Sequence, residues 1–169
     1  MKSLESIYES ILLENQNTNN IDLELLKSCI KGTYTINDDG SIDVEGSVNL
    51  SRKKLTKIPF NFSKVSGVFR CYHNQLTSLD GAPNNVGSGF DCSDNQLTSL
   101  EGAPNNVGGY FYCYGNSNLS YSELFKIVDT VKYDIYYISV NTPEDKDKIR
   151  RDRDVKGVLK DDGLGNLDV

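Results

Sequence analysis

Cys71, Cys92 and Cys113 recur with a 21-residue period, each two positions after a phenylalanine (Phe69, Phe90, Phe111), and this period restricts the fold more than any other feature. A fixed period of this length belongs to stacked solenoids, in which each repeat is one coil that buries its apolar side against its neighbours. The segment Asn74–Phe90 (NQLTSLDGAPNNVGSGF) matches Asn95–Phe111 at 14 of 17 positions, so the two coils share one backbone path. A drifted copy precedes them: Val48, Leu50, Leu55, Ile58 and Val65 lie one such period before Phe69, Cys71, Leu76, Leu79 and Val86. A further copy follows, with Asn116 in phase and Leu119 one residue late, and the pattern dissolves at Ser120. Coils therefore begin at positions 48, 69, 90 and 111.

A chain of 169 residues is the size of one domain, and a solenoid spreads its core between neighbouring coils. The net charge of -6 argues against a general binder of phosphate backbones, whose affinity comes from clustered Lys and Arg. No nucleic-acid or membrane partner is therefore expected. Met1–Asn15 carries Lys2, Glu5, Glu9 and Glu14 among its apolar residues, which is neither a secretory core nor a bilayer span, and the expected location is the cytosol. Three of the four cysteines are placed by the repeat and Cys29 stands alone in a helical stretch, so reduced thiols are expected rather than disulfides.

Leu4, Ile7, Ile11 and Leu12 recur at helical spacing over Ser3–Glu14, as do Leu23, Leu26, Cys29 and Ile30 after the polar break Asn15–Asn20. Thr33–Ile36 and Ser41–Val44 alternate around Asn37-Asp38-Asp39-Gly40, the pattern of a β-hairpin. Helices over 1–32 and a hairpin over 33–47 form the expected N-terminal cap, shielding the open edge of the first coil. The repeats occupy 48–119. Within each coil, Phe-x-Cys predicts a short strand, Asn a turn, and Leu-x-x-Leu the packing behind it. Gly87 and Gly108-Gly109 are expected to permit the tight return. After the last coil, Ser120-Tyr121-Ser122-Glu123 has the form of a capping box before a helix with Leu124, Ile127, Val128 and Val131. Asp134–Val140 reads as a strand adding a fifth rung, and Pro143–Asp154 as a solvated charged helix; together they make a C-terminal cap over 120–154. Residues 155–169 read as a tail.

The string Asn-Gln-Leu-Thr-Ser-Leu at 74–79 and again at 95–100 resembles the short bacterial class of leucine-rich repeats. The unit NQLTSLEGAPNNVGGYFYC, preceded by KIPFNFSKVSGVF and a hairpin with Asp-Gly at its turn, is similar to leucine-rich-repeat proteins encoded by large tailed bacteriophages. The resemblance covers roughly residues 33–119. It implies an α+β leucine-rich-repeat solenoid with a parallel sheet of about four to five rungs. It also implies a ladder of buried asparagines bonding to backbone between coils, at Asn74, Asn95 and Asn116, from which Lys53 departs in the first coil. The repeats further resemble those of secreted bacterial effectors that carry a ubiquitin ligase, but ligase activity is not expected here.

Catalytic, cofactor and metal readings find little support. Neighbouring rungs stack three cysteines, yet the first coil has Leu50 in that slot and no Cys/His pairing accompanies them, so a small buried hydrophobe explains the column. His73, the only histidine, has no nucleophile or acid beside it in the chain and reads as a surface residue. Asn37–Glu45 lacks the carboxylate spacing of a calcium loop, and Gly81–Gly87 lacks the Gly-Lys-Ser/Thr of a phosphate loop. A non-enzymatic protein is expected.

The outward strand positions remain. Asn49, Ser51, Arg70, Tyr72, Asp91, Ser93, Tyr112 and Tyr114 alternate with the inward frame, with Asp94 and Tyr110 beside them. Tyrosines, an arginine and acids in one patch have the composition of a protein-binding surface, here assigned to Arg70, Tyr72, Asp91, Ser93, Asp94, Tyr110, Tyr112 and Tyr114 on the concave face. Tyrosine is also ordinary strand chemistry. The expected function is binding of a host protein, as an inhibitor or takeover factor, by a monomer; the alternative is a virion or assembly component with the solenoid as spacer.

Overall fold

The structure, a computed structural model, describes residues 23–137, 147–152 and 154. The helix expected over Ser3–Glu14, the end of the strand expected over Asp134–Val140 and the tail lie outside these residues.

Helix α1 (Leu23–Cys29) buries Leu26 and Cys29, with Glu24 in its first turn and Lys27 in its last, the charge order that suits the helix dipole. Ile30, read from its spacing as the last helical residue, instead opens strand β1 (Ile30–Ile36). The hairpin is longer than expected: β1 pairs antiparallel with β2 (Ile42–Asn49) from Ile36↔Ile42 to Ile30↔Val48. Its turn is held by polar side chains, as Asp39 Oδ1 accepts from the backbone N–H (2.9 Å) and the hydroxyl (2.6 Å) of Ser41.

Strand β2 is more than a cap. Ile42–Val44 pair in parallel with β3 (Phe62–Val65), whereas Val48 and Asn49 pair in parallel with β4 (Phe69–Arg70). Two arms of parallel sheet diverge from it. One runs through β3, β5 (Asn85–Val86) and β7 (Asn106–Val107), and the other through β4, β6 (Phe90–Asp91), β8 (Phe111–Tyr112) and β9 (Ile135–Tyr136). The second and third coils thus each supply two short strands, Phe-x and Asn-Val, where the sequence pattern indicated only the first of these. The chain is a solenoid with a five-rung parallel arm made of β2, β4, β6, β8 and β9.

The corner between the two strands of a coil explains Gly87 and Gly108 in a way that differs from the expected tight return. Neither has positive φ; instead a Cβ on Gly87 would lie 2.2 Å from the carbonyl oxygen of Ser66, and one on Gly108 would lie 2.3 Å from that of Gly87. Stacked coils touch backbone to backbone here, which only glycine permits.

The core is a spine of aromatic and aliphatic columns that follow the sequence period. Phe69 and Phe90 stack at 5.5 Å with planes 6° apart, Phe90 and Phe111 at 5.1 Å, and Phe62 meets Phe69 edge-on at 5.4 Å. Cys71, Cys92 and Cys113 are fully buried beside them, as are Leu76 and Leu97.

The asparagine column holds the turns. Asn95 Nδ2 donates to the carbonyls of Cys71 (3.1 Å), Cys92 (3.0 Å) and Ser93 (3.1 Å), and its Oδ1 accepts from the N–H of Leu76 (3.0 Å). Asn116 repeats this with Cys92, Cys113 and Leu97. Asn74 does so with Leu50 and Cys71, and accepts from the N–H groups of Lys53 and Leu55. Every asparagine reaches back to the preceding coil. The first coil follows no other, so position 53 has no ladder to complete, and lysine is tolerated there.

The C-terminal cap closes both arms. Val131 bridges to Val107, and β9 adds to β8 with Ile135 opposite Phe111, an offset three residues longer than the repeat period. The longer excursion accommodates a 3-10 turn (Tyr121–Glu123) and helix α2 (Leu124–Ile127). The expected capping box is not formed: Ser120 makes no side-chain cap bond. Glu123 instead accepts from the Leu100 N–H (2.8 Å), the Ser99 hydroxyl (2.9 Å) and Lys126 (2.8 Å), tying the cap to the third coil. Residues 147–152 are helical but not wholly solvated, since Ile149 is fully buried while Tyr121 donates to Asp152 (3.1 Å) and Arg150 meets Asp129 (2.9 Å).

Candidate protein-binding face

The five-rung arm turns one side inward and the other outward because side chains alternate along a strand. On each of three coils the inward pair is Phe-x-Cys, and the residue between and the one after face out. The outward positions form two columns set by the register: Asn49, Arg70, Asp91, Tyr112 and Tyr136, beside Ser51, Tyr72, Ser93 and Tyr114. Backbone bonding carries the second column past the short strands, since His73 N–H donates to Ser93 O and Asp94 N–H to Tyr114 O.

A third row borders these columns. Arg52, His73, Asp94 and Gly115 follow one another at the repeat period and all adopt positive φ (59°, 52°, 52° and 70°). Asp and His enter this left-handed region more readily than most residues, and glycine without penalty. Arginine is the outlier. Stacking at this period gives His73 the acidic neighbour that its chain surroundings lack, with Nδ1 3.3 Å from Asp94 Oδ2.

The face is polarised along the solenoid axis. Its first two rungs are basic and polar: Arg70 is exposed, and the Arg52 guanidinium lies 5.8 Å from the ring centre of Tyr72, which meets His73 edge-on at 5.4 Å. The last two rungs are a tyrosine cluster. Tyr112 and Tyr136 stack at 4.6 Å with planes 18° apart, and Tyr110 touches Tyr112 (6.2 Å), Tyr133 (5.2 Å) and Tyr136 (5.8 Å). Tyr110 and Tyr133 are 40% and 47% exposed, the two most exposed tyrosines of the described residues, so the cluster presents ring surface to solvent.

Of the expected residues, Arg70, Tyr72, Asp91, Asp94, Tyr110, Tyr112 and Tyr114 all reach this surface at least in part. Ser93 does not. It is fully buried, on the rung between those of Tyr72 and Tyr114. Tyr133 and Tyr136 were missed: they belong to the cap, out of phase with the repeat. A signal existed, since Tyr136 follows the buried Ile135 as Tyr112 follows the buried Phe111.

Asp91 carries an electrostatic cost. Burial pushes its carboxyl above its ordinary value, opposed by the Ser93 N–H, which donates to Oδ1 at 3.1 Å, and by the charge of Arg70. Burial likewise raises the phenol of Tyr112, beside Tyr136, so that ring is uncharged at neutral pH. Burial pushes the thiols of Cys71 and Cys92 far up, so they sit in the core as neutral thiols. What this surface presents is ring faces and fixed charge.

Among the described residues no helix is long and apolar enough to cross a membrane. No protein-family model, no curated protein and no solved structure matches this chain.

Proposed function

We propose that the chain is a non-enzymatic module that binds a protein partner through the outward face of its five-rung arm. The observation that carries this reading is the Tyr110, Tyr112, Tyr133 and Tyr136 cluster, whose rings contact one another yet remain partly exposed. Tyrosine anchors bordered by charge are typical of binding hot spots: rigid rings give contact area at low entropy cost. The similarity of the repeats to phage-encoded leucine-rich-repeat proteins favours a bacterial host protein as partner, and inhibition as the outcome.

The test is capture from host lysate with the intact chain and with a Tyr112→Ala/Tyr136→Ala variant. A host protein held by the wild type and lost by a variant that retains its melting temperature supports the face as the contact. Equal capture by both would refute it. Removal of one hot-spot tyrosine weakens binding by about 2 kcal/mol or more, roughly thirtyfold in Kd.

A further inference from the structure

The charges of the solenoid are segregated by coil. From Gly46 to Leu79 there are six basic residues (Arg52, Lys53, Lys54, Lys57, Lys64, Arg70) and no acidic one. From Asp80 to Thr130 there are six acidic residues and one basic, Lys126. We propose that the turn of the first coil, Arg52–Lys57, anchors an acidic segment of the protein partner, the rest of which lies along the face toward the tyrosines; this deepens the binding reading above.

Two independent observations support it. The first is availability: Arg52, Lys53, Lys54 and Lys57 are all exposed, and none has an ion pair among the described residues, whereas Lys64 is engaged with Glu45 at 3.6 Å. The second is backbone conformation. Arg52 and Lys54 both hold positive φ (59° and 57°), a region that side chains other than Asn, Asp and His rarely enter. The fourth coil has Gly115 in the place of Arg52. Two long cations at strained positions two residues apart are not what the turn itself selects, and strain of this kind concentrates at functional sites.

The geometry also selects the class of anion. The N–H of Arg52 is spent on Tyr72 O (3.1 Å), and those of Lys53 and Leu55 on Asn74 Oδ1 (2.9 and 3.1 Å), so these three leave no backbone cradle for a single phosphate. The available donors are side chains spread around a turn, which match several separate carboxylates. The patch is short as well. Arg70 and Tyr72 extend it to the second rung, and Asp91 and Asp94 reverse the charge on the third, about 5 Å further on. A nucleic-acid backbone running along the face would meet that repulsion; a partner segment with a few acidic residues followed by apolar ones would not.

The experiment is fluorescence anisotropy with a dye-labelled hexaglutamate peptide at low salt, using the intact chain. Wild type is expected to bind, more weakly as salt rises, with Arg52→Gly/Lys54→Gly and Lys53→Gln/Lys57→Gln each losing about fivefold or more in affinity. Glycine suits positive φ, so Arg52→Gly/Lys54→Gly should melt no lower than wild type, which separates lost contacts from lost fold. Tyr112→Ala/Tyr136→Ala should bind hexaglutamate as wild type does, so the anchor can stand even where the tyrosine contact fails. The proposal is overturned by absence of binding to wild type, by undiminished binding to both charge variants, or by loss of binding in the tyrosine variant. Tighter binding of a single-stranded hexanucleotide than of hexaglutamate, or full competition by equimolar inorganic phosphate, also overturns it.

Discussion

Asp91 is a carboxylate that the fold would be better without. Its folded pKa is raised by burial, so its ionised form costs stability: the group is harmless below its unfolded pKa of about 3.9 and becomes a burden as pH rises through the folded value. Asp91→Asn keeps an acceptor for the Ser93 N–H, now at 3.1 Å, and removes the charge. The variant is expected to melt above wild type at pH 7 and level with it near pH 3.5, measured by circular dichroism. A lower melting point at pH 7 would contradict this account of the site. How much of the surface was legible depended on the same scale. Alternation about Phe-x-Cys correctly turned Arg70, Tyr72 and Tyr112 outward, because side-chain direction in a strand is local. Burial is not local: Ser93 is fully buried, whereas Tyr72 and Tyr114, one repeat away on either side, are partly exposed. The left-handed row Arg52, His73, Asp94 was equally illegible, since only Gly115 among its members announces positive φ by its type.

At the scale of elements, the period carried the register of β4, β6 and β8, the resemblance of the repeats implied the asparagine ladder, and the pattern of Asp134–Val140 indicated a closing strand. The period did not reveal the second strand of the second and third coils, since two residues of Asn-Val are too short for any alternation to register. Nor did it reveal that β2 joins two arms, which depends on a long strand bending rather than on a motif. The cap shows why local signatures mislead: Ser120 and Glu123 have the spacing of a capping box, yet Glu123 finds better partners in Ser99, Leu100 and Lys126. Although burial acts to raise its pKa, the bonds from Lys126, Leu100 and Ser99 outweigh it and hold the carboxylate below its ordinary value. Its contribution is therefore present above the unfolded pKa of about 4.3 and lost as pH falls through the folded one. Glu123→Ala strands the Leu100 N–H and is expected to cost about 1–2 kcal/mol at pH 7, roughly 2–8 °C in Tm. The deficit should shrink below pH 3 in thermal melts; a deficit unchanged with pH would assign it to packing alone.

The whole molecule is a stack in which each coil touches its neighbours, and continuous Phe and Cys columns couple those neighbours. None of the described cysteines is in a disulfide and all are buried, and those of coils two, three and four stand on adjacent rungs. If the stack opens as one unit, Cys71, Cys92 and Cys113 react with a thiol reagent in a single phase that follows global unfolding by denaturant. Separate phases for the three, read by mass spectrometry of alkylated peptides, would reveal coil-by-coil opening instead. The backward reach of the asparagines gives this stack a direction. A coil's turn is finished by its successor, so during N-to-C synthesis each coil waits only for the next 24 residues or so to emerge, the span from Leu50 to Asn74. Growth by duplication is favoured in the same way. A copied coil inserted between the second and third brings the asparagine that completes its predecessor and receives one from its successor, lengthening the outward face by a rung while both caps keep their contacts.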